Sequence, residues 1–457
     1  MNRLIIQELA EAEIRSHLQS SAPLEEGAFC LLRSGRGNRG LRLLADDVIL
    51  PNEDSWEVQT RHQLRPSAQW LSSVISRSIE AQAGLLFIHS HPDAHHPAEL
   101  SEVDFSAVDS LARTLGPMLD GPFAAAVVHE TGWAGALWQE NEIRVIERIA
   151  VTGMAYRLLS STPDTDVDEI DLRQIDALGE VHDVVRHLSI GVAGCGGLGS
   201  PIAEQLVRMG VAEVILIDDD LLDTPSNVRR VFGSKPADLD LPRPLPKVDI
   251  VGRHLDALGF SGTVVRRVRG DVRVERVFRE LLDADVVLVG TDTHGSRAAT
   301  NELVATYLMP VIDVGVRVGA RAGKLAALVA GVHLLTPSRP CLWCRSAIDS
   351  DVIRAENMPA EERERLEKEG YVVGGVGEPA PSVVALTVLG SGLATCALLG
   401  LLSHEADVMP AGYVFDGLLG DAYEERVQQP KQDCRCRAQL AKGDASAPSF
   451  IGEGTNA

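Results

Sequence analysis

The chain has 457 residues, of which 45% are hydrophobic, so it is long and apolar enough for two globular domains. Its formal net charge of −22 disfavours duplex nucleic acid and anionic membranes as main partners. Seven cysteines are too few for a disulfide framework, and four of them fall in two close pairs, which indicates a reducing compartment and a bound metal. Because the first residues also lack the apolar core of a signal peptide, we expect a cytoplasmic protein.

The first predicted domain covers residues 1–158. It contains at least two helical stretches and four strand-like runs, at residues 28–32, 41–44, 84–89 and 124–129. The polar, acidic segment 159–169 is expected to be a linker. Residues 446–457, which are rich in glycine, serine and alanine, are expected to form a disordered tail.

The second predicted domain covers residues 170–445, where strands and helices alternate. Strands are predicted at residues 189–193, 213–218, 263–268 and 286–289, with helices ending near Met209 and covering residues 248–258. Four prolines mark residues 234–247 as a loop. The alternation predicts an α/β fold with a mostly parallel, doubly wound sheet.

Residues 383–402 form an apolar stretch about as long as a membrane span. It holds three glycines and the hydroxyl side chains of Thr387, Ser391 and Thr395, and it lacks flanking basic anchors. We therefore expect a buried helix or a helix at a subunit interface, and no membrane partner.

A candidate metal site follows the apolar run 84–88. The run ends in His89-Ser90-His91-Pro92, and Ser101 and Asp104 come after a spacer. The strand period of two puts both imidazoles on one face, and Asp104 adds a carboxylate, which leaves the fourth zinc position open for catalysis. A helix cap at Ser101 and Asp104, with a His-rich surface loop before it, would account for the same residues without a metal.

This arrangement resembles the JAMM motif of the JAB/MPN family, metal-dependent isopeptidases that cleave ubiquitin-like proteins. The resemblance implies a cytidine-deaminase-like fold, zinc ligands His89, His91 and Asp104, and stabilisation of an oxyanion by Ser101.

The resemblance also implies a general base on a glutamate just before an apolar strand. Glu26 has the better spacing to the strand, and Glu25 is the alternative. The spacer between His91 and Ser101 is two residues longer than is usual in the family, and the extra residues fall in the loop 94–97. The roles of His95 and His96 therefore stay open.

A candidate nucleotide site begins at Gly194-Cys195-Gly196-Gly197-Leu198-Gly199, between a predicted strand and a predicted helix. Such loops hold phosphates on backbone N–H groups at the helix N-terminus. The loop and Asp218, which can bind a ribose hydroxyl, also fit an NAD enzyme. The basic segment 226–230 suits a triphosphate better, and Asp292 ends a later strand where it can hold Mg²⁺.

These motifs resemble the ThiF/MoeB/HesA family, the adenylating domains of ubiquitin-activating enzymes, and imply ATP and Mg²⁺ as cofactors. The resemblance implies that Asp218, in an acidic cluster with Asp220, binds the ribose and that Asp292 binds magnesium. It assigns the phosphate contacts to Gly194, Gly196, Gly197, Gly199, Asn227, Arg230 and Lys247, with Lys235 as the alternative to Lys247. One extra residue separates the acidic cluster from Asn227. Arg173 would reach the ATP of a partner subunit, which implies a homodimer.

The two cysteine pairs, Cys341-Leu342-Trp343-Cys344 and Cys434-Arg435-Cys436, supply four thiolates. A closed set of four soft ligands is typical of structural zinc. Residues 345–395 contain no cysteine, and Cys195 and Cys396 are expected to be structural core residues. We therefore expect a chain that adenylates without forming its own thioester.

The two motif sets predict a bifunctional enzyme. Its zinc site would trim or release a ubiquitin-like or sulfur-carrier protein, and its second domain would adenylate the exposed C-terminal glycine, with a conjugating-enzyme-like protein as a further candidate partner. One alternative is a sulfur-carrier activating enzyme of cofactor or siderophore synthesis, which would yield a thiocarboxylate. Another is a non-catalytic scaffold that binds a ubiquitin-like tail, against which the intact His89, His91, Asp104, Arg230 and Asp292 argue.

Overall fold

The structure is a computed structural model that describes residues 1–92, 99–129, 132–140, 142–160, 168–370, 381–403, 405–427 and 429–446. The chain forms two units. Within the described residues, the first contains residues 1–160, Thr306–Leu308 and residues 439–446, and the second contains the rest.

The first unit is built on a mixed nine-stranded sheet. Its strands are β1 (Arg3–Gln7), β2 (Gly27–Arg36), β3 (Leu41–Ile49), β6 (Gly84–Ser90), β7 (Phe123–His129), β8 (Gly132–Gln139), β9 (Glu142–Val145), β10 (Arg148–Thr152) and β11 (Tyr156–Leu158). They lie in the order β11-β10-β1-β3-β2-β6-β7-β8-β9. A separate two-stranded ladder joins β4 (Trp56–Gln59) and β5 (Leu64–Pro66), and the helices are α1 (Glu8–Ser20), α2 (Ala68–Glu80) and α3 (Glu102–Leu115).

Strand β6 shows how this unit places its polar residues. All seven of its residues are buried. Leu86 and Ile88 pack into the core that contains α1, whereas Leu85 and Phe87 pack into the core that contains α2 and α3. His89 has the parity of Leu85 and Phe87 and stacks on the Phe87 ring at 5.5 Å. The strand therefore ends with this imidazole on the face that α3 covers.

The second unit is built on an eight-stranded sheet. Its strands are β12 (Ser189–Ala193), β13 (Glu213–Asp218), β14 (Val264–Arg269), β15 (Val286–Val289), β16 (Val311–Arg321), β17 (Lys324–Leu335), β18 (Gly412–Asp416) and β19 (Asp421–Glu424). Its helices are α4 (Leu172–Leu178), α5 (Glu180–Val185), α6 (Gly199–Arg208), α7 (Lys247–Asp256), α8 (Glu275–Leu281), α9 (His294–Thr306), α10 (Leu342–Arg345), α11 (Ser350–Glu356), α12 (Ala360–Lys368), α13 (Val384–Leu402) and α14 (Arg435–Ala438).

The strand order of this sheet is β14-β13-β12-β15-β16-β17-β18-β19. The first five strands are parallel, and the last three extend the sheet in antiparallel pairing. The order reverses between β12 and β15, and in open parallel sheets such a switch point at the carboxyl ends of the strands is where ligands bind. The predicted α/β fold with a mostly parallel, Rossmann-like sheet is confirmed for this unit.

One prediction about the second unit, the loop at residues 234–247, needs correction. The segment 234–247 is not entirely a loop, because Pro236–Asp240 form a 3-10 helix and Lys247 begins α7. The antiparallel extension of the sheet had no counterpart in the predicted elements. Residues 161–167 of the predicted linker lie outside the described residues, and its last residue, Glu169, begins the 3-10 helix Glu169–Asp171. All but the first residue of the predicted tail also lies outside the described residues.

The apolar stretch forms α13, which packs on β16, β17 and α6. Among the described residues it is one helix that is long and apolar enough to cross a membrane, and half of its most apolar window is buried in the fold. Val384, Val388 and Cys396 on its outer side are exposed. The expectation that Cys396 is a core residue is therefore wrong.

Candidate functional site

His89, His91 and Asp104 bring three ligand atoms together in the first unit. His89 Nε2 lies 3.2 Å from His91 Nε2 and 3.1 Å from Asp104 Oδ1. His91 Nε2 lies 3.5 Å from Asp104 Oδ2. Bonds of 2.0–2.1 Å place two nitrogen ligands on a tetrahedral zinc about 3.3–3.4 Å apart. The donor set and its spacing therefore fit zinc.

Ser101 caps α3 and holds Asp104. Its Oγ accepts from the Asp104 N–H over 3.1 Å and its N–H donates to Asp104 Oδ2 over 2.7 Å, which together form a capping box. Ser101 Oγ also donates to Asp104 Oδ2 over 2.7 Å. Burial alone would raise the pKa of Asp104, but hydrogen bonds from His89, His91 and Ser101 outweigh it and hold this pKa well below its usual range. The cap and the ligand role are compatible, because the cap orients the same carboxylate toward the imidazoles.

The two adjacent glutamates lie on different sides of the sheet. In the antiparallel ladder of β2 and β6, Gly27 pairs with His89, and the Ser90 N–H donates to Glu26 O over 2.9 Å. One step further along this register, Glu25 lies opposite His91. Directly opposite residues share a face, so Glu25 belongs with the imidazoles and Glu26 with Ser90.

The Glu26 carboxylate is fully engaged in hydrogen bonds. It accepts from Ser21 Oγ over 2.7 Å, from Trp56 Nε1 over 2.9 Å and from Gln59 Nε2 over 3.0 Å. Burial alone would raise the pKa of Glu26, but His17, Ser21 and the Gly27 N–H outweigh burial and lower it to about 2. A carboxylate held this way is a poor proton acceptor, which argues against the predicted base role of Glu26.

Glu25 has the opposite electrostatic character. Burial raises its pKa to about 7, the His91 imidazole opposes the shift and the Asp104 carboxylate adds to it. A base that titrates near neutral pH suits proton transfer. The structure therefore favours the alternative, Glu25. His95 and His96 lie outside the described residues.

The glycine loop of the second unit turns from β12 into α6 as predicted. Gly194 has a φ of +91°. A β-carbon on Gly199 would lie 1.6 Å from Gly194 O, so neither position tolerates a larger residue without a shift of the backbone. Gly196 and Gly197 lie between these two. The predicted glycine positions thus form one tight turn at a helix N-terminus, a site suited to phosphate.

Asp218 ends β13 beside this loop. Its carboxylate accepts from the Cys195 N–H over 2.6 Å and from the Asp220 N–H over 2.8 Å. Burial raises the pKa of Asp218 to about 6, although Lys247 and the two N–H groups oppose the shift. In this geometry Asp218 fixes the loop, and the predicted ribose contact stays a prediction.

Two cations accompany the loop. A β-carbon on Gly197 would lie 3.6 Å from Arg230 Nε, and this nitrogen is buried without a hydrogen-bond partner among the described residues. Lys247 is 7% exposed and pairs with the Asp220 carboxylate. Burial would lower the pKa of Lys247, but Asp218 and Asp220 outweigh burial and raise it.

The remaining predicted residues of this site take separate positions. Asn227 belongs to the 3-10 helix Pro225–Arg229 that leads to Arg230. Asp292 is exposed in the segment between β15 and α9. Arg173 is exposed on α4, and its predicted reach to the ATP of a partner subunit stays a prediction.

One contact at the start of α9 had no signal in the sequence. The Glu356 carboxylate, at the end of α11, accepts from the N–H groups of His294 and Gly295 over 2.8 Å each. These are the first two residues of α9, directly after Asp292 and Thr293. The contact spans 61 residues of chain, so no local pattern indicates it.

The two cysteine pairs meet as predicted. Cys341, Cys344, Cys434 and Cys436 place their sulfur atoms within 4.8 Å of one another. Cys341 Sγ lies 3.7 Å from Cys344 Sγ and 3.6 Å from Cys434 Sγ. Zn–S bonds of 2.3 Å predict sulfurs about 3.8 Å apart on a tetrahedral metal, so the cluster fits a structural zinc.

Cys195 is a poor candidate for covalent chemistry. It is fully buried, and burial raises the pKa of its thiol well above the usual value. This agrees with the expectation that Cys195 is structural.

Comparison with known proteins gives the second unit a family. Residues 170–438 match the ThiF family. The Bacillus subtilis sulfur carrier protein ThiS adenylyltransferase is 28% identical over 153 residues, which cover 34% of this chain and 42% of that protein. Ubiquitin-like modifier-activating enzyme 5 of Oryza sativa subsp. japonica is 24% identical over 246 residues, covering 49% of this chain and 58% of that enzyme. The chain thus spans about half the length of these relatives.

Among solved structures, E. coli MccB overlaps 92% of this chain and 98% of its own, with 12% identity and a TM-score of 0.46, too low to support an inference. The family match begins at residue 170, so the JAB/MPN identity expected for the N-terminal domain stays a prediction. The ThiF match covers more than half of the chain, and this protein therefore belongs to the ThiF family.

Proposed function

We propose that the second unit uses ATP and Mg²⁺ to adenylate the C-terminal carboxylate of a small protein. The observation that carries this proposal is the pair of cations at the glycine loop, Arg230 and Lys247, in a chain of the ThiF family. Both relatives described above are named for activation of a small carrier or modifier protein, one as an adenylyltransferase.

In the proposed reaction, the α6 N-terminus and its glycine loop bind the ATP phosphates. A carboxylate oxygen of the substrate attacks the α-phosphorus, the bond to the bridging oxygen breaks, and pyrophosphate leaves with that electron pair. Arg230 and Lys247 offset the negative charge that develops on the phosphate oxygens. Asp292 would hold Mg²⁺, whose charge would help to neutralise the triphosphate.

The proposed substrate is a ubiquitin-like or sulfur-carrier protein that ends in glycine. Cys195 is buried and its pKa is raised, and we propose that the adenylate passes to an outside thiol or sulfur donor. Cys396, which is exposed on α13, is the alternative acceptor within the chain. A conjugating-enzyme-like protein is a candidate recipient. A homodimer, in which Arg173 of one subunit reaches the ATP of the other, belongs to the same proposal.

The test is ATP–pyrophosphate exchange with the full chain and a small protein ending in glycine. Exchange should depend on that protein and should be lost in Asp292→Ala. Mass spectrometry should show the adenylate, and a thiocarboxylate product would identify sulfur transfer. Exchange that never depends on any glycine-ended protein would rule the proposal out.

We further propose a zinc-dependent peptidase in the first unit, because the His89, His91 and Asp104 donors have the spacing of a tetrahedral zinc site. Zinc there would polarise the scissile carbonyl and acidify a water molecule. Glu25 would accept the proton, and Ser101, which donates to Asp104, would contact the oxyanion. Cleavage after a glycine would expose the carboxylate that the second unit needs.

The peptidase is tested with a glycine-ended small protein carrying a C-terminal extension. Wild type should remove the extension, and His91→Ala should not, whereas pyrophosphate exchange should be equal in both. Loss of both activities in His91→Ala would show that the two sites are not separate.

A further inference from the structure

Helix α13 contacts the glycine loop and α6 through a row of hydroxyl side chains. Thr387, Ser391 and Thr395 are spaced four residues apart, so they lie on one face of the helix, and all three are buried. A β-carbon on Gly197 would lie 3.3 Å from Thr387 Cγ2. Thr395 Oγ1 donates to Gln205 Oε1 over 2.6 Å. The row therefore follows the chain from the loop into α6.

Ser391 makes the polar contact with the loop itself. Its Oγ lies 2.8 Å from Leu198 O and 2.7 Å from Thr387 O, so its one proton is shared between the loop and its own helix. Ser391 is 0% exposed, which excludes water as a competing partner. Leu198 is the N-cap residue of α6, and its carbonyl oxygen also accepts from the Ile202 N–H over 3.2 Å.

The approach of α13 depends on a glycine. A β-carbon on Gly390 would lie 3.1 Å from Leu198 Cδ2 and 3.1 Å from Val316 Cγ1. A larger residue would require the Leu198 and Val316 side chains, or the helix, to shift by a few tenths of an ångström. The small residue at 390 thus brings the Ser391 hydroxyl within reach of Leu198.

The contact has a geometric consequence for phosphate binding. In a trans peptide, the C=O of one residue and the N–H of the next point in opposite directions. Holding Leu198 O against α13 therefore directs the Gly199 N–H to the other side. Ser200 Oγ donates to Gly196 O over 2.7 Å, and by the same geometry this contact orients the Gly197 N–H. The first N–H groups of a helix have no acceptor within it and are its anion-binding groups.

We propose that Ser391 is a positioning residue of the phosphate loop, whose hydroxyl holds the Leu198–Gly199 peptide in the orientation that binds an ATP phosphate. This inference rests on the adenylation function proposed above. Ser391 acts through the loop backbone and contacts no phosphate itself. Its removal should weaken binding of phosphate-bearing ligands and spare binding of the nucleoside.

The test compares dissociation constants for Mg·ATP and for adenosine, with the full chain. Ser391→Ala should raise the Kd for Mg·ATP about fivefold, the size of one hydrogen bond, and change the Kd for adenosine less than about twofold. Thr395→Val is the matched control, because it removes a buried hydroxyl one turn further along the same helix, where the acceptor is Gln205. It should leave both constants within about twofold of wild type.

A substitution pair separates the hydroxyl from folding effects. Ser391→Thr and Ser391→Val add nearly the same volume, and only the threonine keeps the donor. The threonine variant should bind Mg·ATP more tightly than the valine variant by about fivefold.

Equal Mg·ATP affinity in that pair, or a parallel loss of ATP and adenosine binding in Ser391→Ala, would overturn the inference. A wild-type chain that binds no Mg·ATP would overturn the inference together with the adenylation proposal. Normal ATP binding with the predicted Ser391 effects, but no adenylate on any glycine-ended protein, would overturn the adenylation proposal alone.

Discussion

The indole N–H of Trp56 donates a hydrogen bond of 2.9 Å to Glu26 Oε1. This bond, with those from Ser21 and Gln59, fixes the Glu26 carboxylate as an ionised group on the side of the strand away from His89. Glu25, one residue earlier, belongs to the opposite face of the strand and shares that face with the imidazoles. The two neighbouring glutamates therefore differ in electrostatic character, because the pKa of Glu26 is lowered and that of Glu25 is raised.

The two glutamates should respond differently to the same substitution. Glu25→Gln removes the proposed base and should lower peptidase turnover by about 10²–10⁴-fold with zinc content unchanged. Glu26→Gln should retain turnover in the fraction that stays folded. The comparison requires peptidase assays and metal analysis on both variants. Full activity of Glu25→Gln combined with an inactive but folded Glu26→Gln would return the base role to Glu26.

The Glu26 network should make stability depend on pH. The folded-state pKa of Glu26 is about 2, below its usual 4.5, so its ionised form stabilises the fold above about pH 4.5 and this contribution disappears as pH falls toward 2. Allowing for partial screening, we expect about 2–3 kcal/mol at neutral pH. Urea unfolding of wild type and Glu26→Gln should differ by this amount at pH 7 and converge as pH falls from 4.5 to about 2. A difference that is constant with pH would contradict the assignment.

Zinc content should separate the two metal sites. We expect two zinc ions per chain in wild type, one in His91→Ala and one in Cys434→Ser, because each substitution removes a ligand from a different cluster. The cysteine variant should also unfold at lower temperature, since a closed thiolate site contributes directly to folding. Metal analysis by mass spectrometry with thermal unfolding measures both. One zinc per wild-type chain would leave the cysteine cluster as the single metal site.

The proposed role of Arg230 in ATP binding can be tested by comparison with the adjacent Arg229. Arg230→Ala should weaken ATP binding by about 10–100-fold, because the guanidinium proposed to contact phosphate is lost. Arg229→Ala is the matched control, because Arg229 is the adjacent residue and is exposed. Pyrophosphate exchange and nucleotide binding measure the effect. Equal losses in both variants would show that general charge, not the position of Arg230, matters.

Lys247 and Lys235 form a second matched pair. Lys247→Ala should reduce turnover in pyrophosphate exchange by at least about tenfold, whereas Lys235→Ala should stay within about twofold of wild type. The reason is that Lys247 is buried between Asp218 and Asp220 beside the loop, whereas Lys235 precedes the 3-10 helix Pro236–Asp240. The reverse result would assign the α-phosphate contact to Lys235.

Local sequence patterns predicted those parts of the protein that depend on neighbouring residues. The glycine loop, the strand ending at Asp218 and the strand ending at His89 follow from short periodic runs and their turns. The four cysteines were recognised as one site because their spacing and chemistry restrict the alternatives.

Features that depend on contacts between distant segments were not predictable in the same way. The spacing to the strand predicted Glu26 as the base, because no local pattern indicates that Trp56 and Gln59 donate hydrogen bonds to its carboxylate. The exposure of Cys396 was missed because an apolar helix of uniform composition has no polar face to reveal its orientation. The Ser391–Leu198 contact joins residues 193 positions apart.

The carboxylate of Glu356 has an electrostatic effect on the whole nucleotide edge. By accepting both leading N–H groups of α9, it neutralises the positive end of that helix's dipole beside Asp292. The ATP phosphate proposed for this edge would therefore be favoured at the N-terminus of α6, beside Arg230 and Lys247, over the N-terminus of α9. Of two helices that begin after strands of the same sheet, α9 already has its leading N–H groups bound by an acidic side chain of the protein.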